Sequence, residues 1–347
     1  MRVAIIGFLM GPAMAAHAAN IPVPAVSRPI STLQTVLVRG NQPGPGLWRV
    51  SKGDHTLWIL GTLGPLPAGM TWQSGEVEAT IAASQAVLGA GFSRADIGFG
   101  EKLKIASLMP AAMRIQHNPG NATLASVVGP SLHARWKLAK ERHAVPAKEF
   151  EKLRPMFASQ ELYWKAVEAA GLSRASSVPD TVSGAAGRAG VPIVDTGFDY
   201  PLHLDRKELK KRIDTANAAS GADIACFGKT LDVLESDLSK MKLRANAWAV
   251  GDVRALRELS TGDIKPPCQE VADATLAFVG AGELKQKLRA SWLKAAQDSL
   301  AKNQSTFATL PIADLLDENG VLKDLQRLGY VVVAPDDEPA EEPADAP

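Results

Sequence analysis

Twice in this chain a helical segment passes through a single glycine into an apolar run that reads as a strand. Thr181 to Ala189 leads through Gly190 into Val191-Pro192-Ile193-Val194, and Val321 to Leu328 leads through Gly329 into Tyr330-Val331-Val332-Val333. A glycine just past a helix supplies the left-handed C-cap, a conformation that other residues adopt at a cost. The continuous apolar run after it suits a strand buried on both faces. Buried strands of this kind are covered by helices, so the pattern predicts an α/β core.

The same reading extends to the start of the folded part. Leu47-Trp48-Arg49-Val50 and Thr56-Leu57-Trp58-Ile59-Leu60 flank the polar turn Ser51-Lys52-Gly53-Asp54, which predicts a β-hairpin. Gly61 to Gly69, with two prolines, is expected to be a loop. Val77, Ile81, Ser84 and Leu88 then follow the 4-3-4 spacing of one helical face. Between about 100 and 260 helical patterns dominate. Leu231, Leu234, Leu238 and Met241 form one stripe, and Leu284, Leu288, Trp292 and Ala296 form another farther on; both are expected to pack into the core. The predicted fold class is therefore mixed α/β (α+β), a central sheet with flanking helices and a helix-rich middle.

The ends of the chain differ in character. Arg2, the apolar stretch Val3 to Met14 and the small-residue triplet Ala16-His17-Ala18 before Ala19 have the three parts of a secretory signal peptide, assigned to residues 1–18. That stretch is too short to span a bilayer, and no later segment is expected to cross one. Residues 19–46, ending in Gln42-Pro43-Gly44-Pro45-Gly46, are expected to form a Pro-rich extended arm. Residues 336–347 alternate acids with Pro and Ala and read as a disordered acidic tail. The domain proper is 47–335, and the expected location is periplasmic or secreted, in a bacterial envelope.

Charge identifies no partner. With 38 Lys and Arg against 37 Asp and Glu the net charge is +1, so the whole chain carries no electrostatic footprint for nucleic acid or anionic lipid. The two cysteines, Cys226 and Cys268, are expected to be bridged after export. Such a bond closes a loop whose ends lie 42 positions apart in the sequence and stabilises by up to about 4 kcal/mol in the chain-entropy picture.

Common catalytic signatures are absent. His55, His117, His133, His143 and His203 include no pair at a metal-ligand spacing. Phe227-Gly228-Lys229-Thr230 resembles the end of a phosphate-binding loop, but Asp223 stands where its first glycine is needed. Gly89-Ala90-Gly91-Phe92-Ser93-Arg94 begins like a dinucleotide fingerprint but has Arg94 in place of the third glycine. No Gly-x-Ser-x-Gly elbow occurs.

Three segments in order resemble a known family. Gly61-Thr62-Leu63-Gly64 follows the second strand, Ala247-Trp248-Ala249-Val250-Gly251-Asp252 lies in the middle, and Gly320-Val321-Leu322 with Gly329-Tyr330 closes the chain. These are similar to the Gly-Thr-x-His, Trp-x-x-Gly-Asp and closing Gly-Leu-Leu and Gly-Tyr elements of the TraB/GumN family, within the Tiki-like metallohydrolase superfamily. The resemblance runs from about 47 to 335. It implies a site in which two Gly-x-x-His histidines and a glutamate hold a divalent metal, which would lower the pKa of a bound water to near neutrality.

The chain departs from that pattern at each ligand position. Gly64 stands where the first histidine would be, Gly89-Ala90-Gly91 where the glutamate is expected, and Asp314 where the second histidine would be. Glycine and alanine offer no ligand atom. The expectation is thus an exported TraB/GumN-like protein without the family's metal-dependent hydrolase activity, with no metal and no cofactor. It would act by binding an envelope protein or a polysaccharide-related ligand. Gly61, Thr62, Gly64, Asp195 and Asp314 are the cleft candidates, Asp195 because it follows the strand 191–194. Asp314 also reads as an early-turn acid of a helix over 315–328. The alternative is a hydrolase or protease of altered mechanism, in which Asp314 acts on water with Asp195 or Asp96.

Overall fold

A computed structural model describes residues 41–337 apart from 43, 97, 175, 202–204, 218–220, 237 and 260–280. Strand β1 (Asn41–Gln42) precedes the hairpin of β2 (Leu47–Lys52) and β3 (His55–Thr62). Strands β4 (Leu66–Pro67) and β5 (Thr71–Trp72) lead to helix α1 (Gly75–Ala82), then β6 (Val87–Leu88) and β7 (Ser93–Asp96). Helices α2 (Phe99–Met113), α3 (Leu124–Arg142) and α4 (Pro155–Ala169) begin the helix-rich middle. Strand β8 (Leu172–Ser173), helix α5 (Val178–Ala189) and strands β9 (Ile193–Val194) and β10 (Phe198–Pro201) follow. Next come α6 (Arg206–Asn217), α7 (Gly221–Glu235), α8 (Ser239–Ala249) and α9 (Val253–Leu259). The chain closes with α10 (Ala281–Lys302), β11 (Ser305–Pro311), α11 (Ile312–Leu316), α12 (Val321–Arg327) and β12 (Val331–Val333).

The predicted α/β class holds. Six strands form one sheet in the order β12-β2-β3-β11-β6-β9, and α1 and α10 pack against it. The expected hairpin is there: β2 pairs antiparallel with β3, with Trp48 opposite Ile59 and Lys52 opposite His55. β3, β11, β6 and β9 run parallel, with Thr62 opposite Pro311, Ala308 opposite Leu88, and Leu88 opposite Val194. Leu57, Ile59, Leu60, Phe307 and Ala308 are fully buried. Ile59-Leu60 and Phe307-Ala308 are adjacent pairs, so both faces of β3 and β11 are covered, as parallel strands require. Leu231, Leu234, Leu238 and Met241 of the first stripe are all buried, as are Trp292 and Ala296 of the second, whereas Leu284 and Leu288 are only half-buried.

Both glycine caps form. Gly190 and Gly329 have φ of 67° and 82°, and the next residue turns its N–H back onto the helix, Val191 to the Ala186 carbonyl and Tyr330 to that of Leu325. Because the cap uses those donors, the strands start later than the apolar runs, at Ile193 and Val331.

Several expected boundaries move. The stripe through Val77, Ile81, Ser84 and Leu88 is not one helix: α1 ends at Ala82, and Leu88 belongs to β6. Both elements bury apolar side chains in the same core, so a helical period runs on by coincidence into a strand. The Gly61–Gly69 loop contributes to sheets at both ends, through the last residues of β3 and through β4, which pairs with β8. Leu231 to Met241 spans two helices, α7 and α8. The helix expected over 315–328 is two, because Asp317 is extended, with φ −70° and ψ 116°. Of the Pro-rich arm, Asn41–Gln42 pairs with Thr71–Trp72. The proposed signal peptide, the rest of the arm up to Gly40 and the tail beyond Asp337 lie outside the described residues.

Candidate functional site

The parallel strands deliver the sequence candidates to one edge of the sheet. β3 ends at Thr62 and runs into Leu63-Gly64; β11 ends at Pro311 and runs into Ile312-Ala313-Asp314; β6 runs into Gly89-Ala90-Gly91; β9 runs into Asp195. In an open α/β sheet this carboxyl edge is where ligands bind. Gly61, Thr62, Gly64, Gly89 and Asp314 therefore stand on three adjacent strands, whereas Asp195 stands one strand farther out, beyond β6.

Close packing shapes the β3 end. A methyl group on Gly61 would come within 2.5 Å of Ile312 Cδ1 and 3.0 Å of Trp48 Cζ3, so a larger residue there would force Ile312 to shift. The Gly61 carbonyl accepts a 2.7 Å hydrogen bond from Trp248 Nε1, and the Thr62 hydroxyl donates to the Leu310 carbonyl at 3.2 Å. Two residues on, Gly64 is exposed and a methyl group there would meet nothing within 4 Å.

The β6 end is organised by its backbone. The Gly89 carbonyl accepts two hydrogen bonds, from Thr196 Oγ1 at 2.8 Å and from Trp292 Nε1 at 3.1 Å. β6 and β9 then continue side by side into β7 and β10, which pair in parallel with Ser93 opposite Phe198. At the crossing the Phe198 N–H donates to the Phe92 carbonyl, and Gly197 lies too close to that carbonyl for any side chain. Gly91, with φ 77°, makes the matching close approach, since a methyl group there would lie 3.1 Å from the Thr196 carbonyl oxygen.

The two candidate acids have settled environments. Asp195 Oδ1 accepts from the Gly197 N–H at 2.8 Å, and Asp195 Oδ2 pairs with Arg94 Nη1 at 2.6 Å. The Gly197 N–H and the Arg94 guanidinium hold its carboxyl below the usual carboxylate range. Arg94 also binds Asp199, an ion-pair cluster that strand pairing creates and spacing alone does not show. Asp314 is half-buried in the first turn of α11, the place expected of an acid that meets a helix dipole, although on a shorter helix.

The Trp-x-x-Gly-Asp segment is an anchor. Trp248 is fully buried and sits edge-on to Trp72, with ring centroids 6.0 Å apart. Gly251 turns the chain with φ 72°, and Asp252 Oδ1 caps α9 by accepting from the Ala255 N–H at 2.8 Å. Sequence reasoning found the segment but not its target, the Gly61 carbonyl; a buried indole N–H needs an acceptor, and that need was the available signal. It missed Thr196 altogether, and it read Trp292 as a core stripe residue without its bond to the Gly89 carbonyl.

A divalent metal does not fit these residues. Around the open position 64 the strand ends offer a glycine, the Gly89-Ala90-Gly91 backbone and one carboxylate, where tight binding takes at least three donor side chains. Among the described residues no three His, Cys, Asp or Glu side chains gather as a cation would require. A groove of about 490 Å³ lies elsewhere, between the β9 edge and α10, where Val194, Asp195, Ser291 and Lys294 line it.

The fold and this edge define an α/β protein with a parallel-strand site built of glycine and backbone. The model of the TraB/PrgY/gumN family matches residues 46–334, and the chain belongs to that family. No curated protein and no solved structure matches it.

Proposed function

We propose that this chain is an exported member of the TraB/PrgY/gumN family that acts by binding in the cell envelope and not by metal-dependent hydrolysis. One observation carries the reading: position 64 has free space around it and no ligand atom to put there. Neighbouring strand ends add only Asp314 and a backbone crossing, and a single carboxylate holds a hard cation weakly. The signal-peptide pattern of residues 1–18 supports export, and an envelope protein or a polysaccharide-related ligand is the expected partner. A Cys226–Cys268 disulfide would accompany export; Cys226 is buried on α7, and Cys268 lies outside the described residues.

Hydrolysis by two carboxylates has less support. Asp314 and Asp195 follow strands with β6 between them. Asp195, ion-paired and held ionised, has no proton to give near neutral pH and little appetite to take one. Metal analysis of the protein purified from its host tests the proposal. No retained transition metal is expected, and a stoichiometric, tightly held one would refute it.

A further inference from the structure

Helix α2 is apolar on two opposite sides. Its inner side buries Leu108 with Ile115 and Ile213, and Ile105 and Ala111 pack against that cluster. Phe99, Leu103, Ala106 and Pro110, spaced four, three and four residues apart, line the other side, and all four are exposed. Phe99 is 78% and Leu103 57% exposed. A folded chain gains nothing by holding an aromatic ring and a leucine in water on one helical stripe, so this stripe calls for a second surface.

The neighbouring helix says which kind. α6 packs against α2 and contributes Ile213 to the same cluster, so the outward sides of both helices point away from one small core. On α6, Arg206, Lys207, Lys210 and Lys211 are exposed, and Lys207, Lys210 and Lys211 border a shallow depression with Asp214. Together the two helices carry seven Lys and Arg against three Asp and Glu, a net +4, in a chain whose total is +1. The near-neutral whole-chain balance conceals this local excess.

Exposed Phe and Leu beside a lysine-rich helix have the chemistry of a helix lying at a lipid interface, apolar side chains at the acyl boundary and cations among anionic headgroups. We propose that α2 and α6 form a docking face for an anionic phospholipid bilayer, with Phe99 and Leu103 inserting and Lys207, Lys210 and Lys211 meeting the headgroups. This would be peripheral contact: no helix among the described residues is long and apolar enough to cross a membrane. It does not depend on what the sheet edge binds.

Vesicle flotation tests it, with purified protein and vesicles of phosphatidylcholine alone or mixed with phosphatidylglycerol. Binding is expected only to the mixed vesicles and should weaken as salt is raised. The Phe99→Ser/Leu103→Ser chain should no longer float, and Lys207→Glu/Lys211→Glu should lower vesicle affinity by at least about tenfold. All four side chains are exposed, so unchanged melting temperatures will show that folding is intact. Equal flotation with neutral vesicles, no flotation at low salt, or full flotation of the Ser variant would overturn the proposal. A wild-type dimer that the Ser substitutions dissociate would assign the face to a second copy of the chain and overturn it equally.

Discussion

Trp248 Nε1 donates a 2.7 Å hydrogen bond to the carbonyl of Gly61, although 187 positions separate the two residues. The bond ties the end of α8 to the last residues of β3 before the candidate edge, so the height of that strand end depends on a distant helix. Trp248→Phe keeps most of the ring volume but removes the donor from a fully buried site. A stability loss of about 1–3 kcal/mol is expected, measured by denaturant unfolding. A loss below the error of that measurement would show that water replaces the indole.

Gly61 and Gly64, three residues apart, should respond oppositely to the same change. Alanine at 61 drives a methyl group against Ile312 and Trp48, and about 1–3 kcal/mol of destabilisation is expected. Alanine at 64 enters open space and should stay within about 0.5 kcal/mol of wild type. The melting temperatures of the two variants decide the matter, and equal shifts would mean that the β3 end is not packed as described.

Arg154, just before α4, and Asp223 on α7 form a buried ion pair, with Arg154 Nε donating to Asp223 Oδ2 at 2.8 Å and Arg154 Nη1 to the Ile115 carbonyl at 3.3 Å. Removing one partner strands a charge in the interior. Arg154→Met is expected to cost about 3–5 kcal/mol, and Arg154→Met/Asp223→Leu to recover part of it, because an apolar pair leaves no charge unpaired. A double variant no more stable than the single would count against this account.

His143 gives the stability a pH dependence. It follows α3, its Nε2 atom is buried without a hydrogen-bond partner, and burial, helped by the charge of Arg142, pushes its pKa below the ordinary value. The native state thus favours neutral imidazole. Its contribution is fully present above the unfolded pKa of about 6.5 and is lost as pH falls through the lower folded value. Unfolding free energy measured from about pH 7 down to about pH 5 should therefore decline less steeply in His143→Gln than in wild type. Parallel curves would remove His143 from the explanation.

The sequence made the architecture legible where one residue type has one structural use. Gly190 and Gly329 marked helix ends because few residues accept their φ, and Ser51-Lys52-Gly53-Asp54 marked the hairpin. Patterns of burial misled where two elements share a core: Leu88 continued the period of α1 from a strand, and Leu238, just before α8, and Met241 within it continued that of α7. Of the candidate edge, the sequence located Gly61, Gly64 and Asp314 on adjacent strand ends. It did not show that Arg94 engages Asp195, nor that Thr196 and Trp292 converge on Gly89, because these contacts arise from strand pairing and from the packing of α10, between residues more than a hundred positions apart.

The disulfide proposal ties compartment to stability. Cys226 is buried on α7, a helix that packs against α3 and α4, so a bond from it to Cys268 would fasten the helical middle to a segment 42 positions later in the sequence. Chain-entropy reasoning places the benefit at up to about 4 kcal/mol, less any native strain. Protein recovered from an oxidising compartment and unfolded without reductant should show no titratable thiol, and reductant should lower its melting temperature. The same chain made in a reducing cytoplasm should show two thiols and melt lower from the outset. Two free thiols in the exported protein would end the claim.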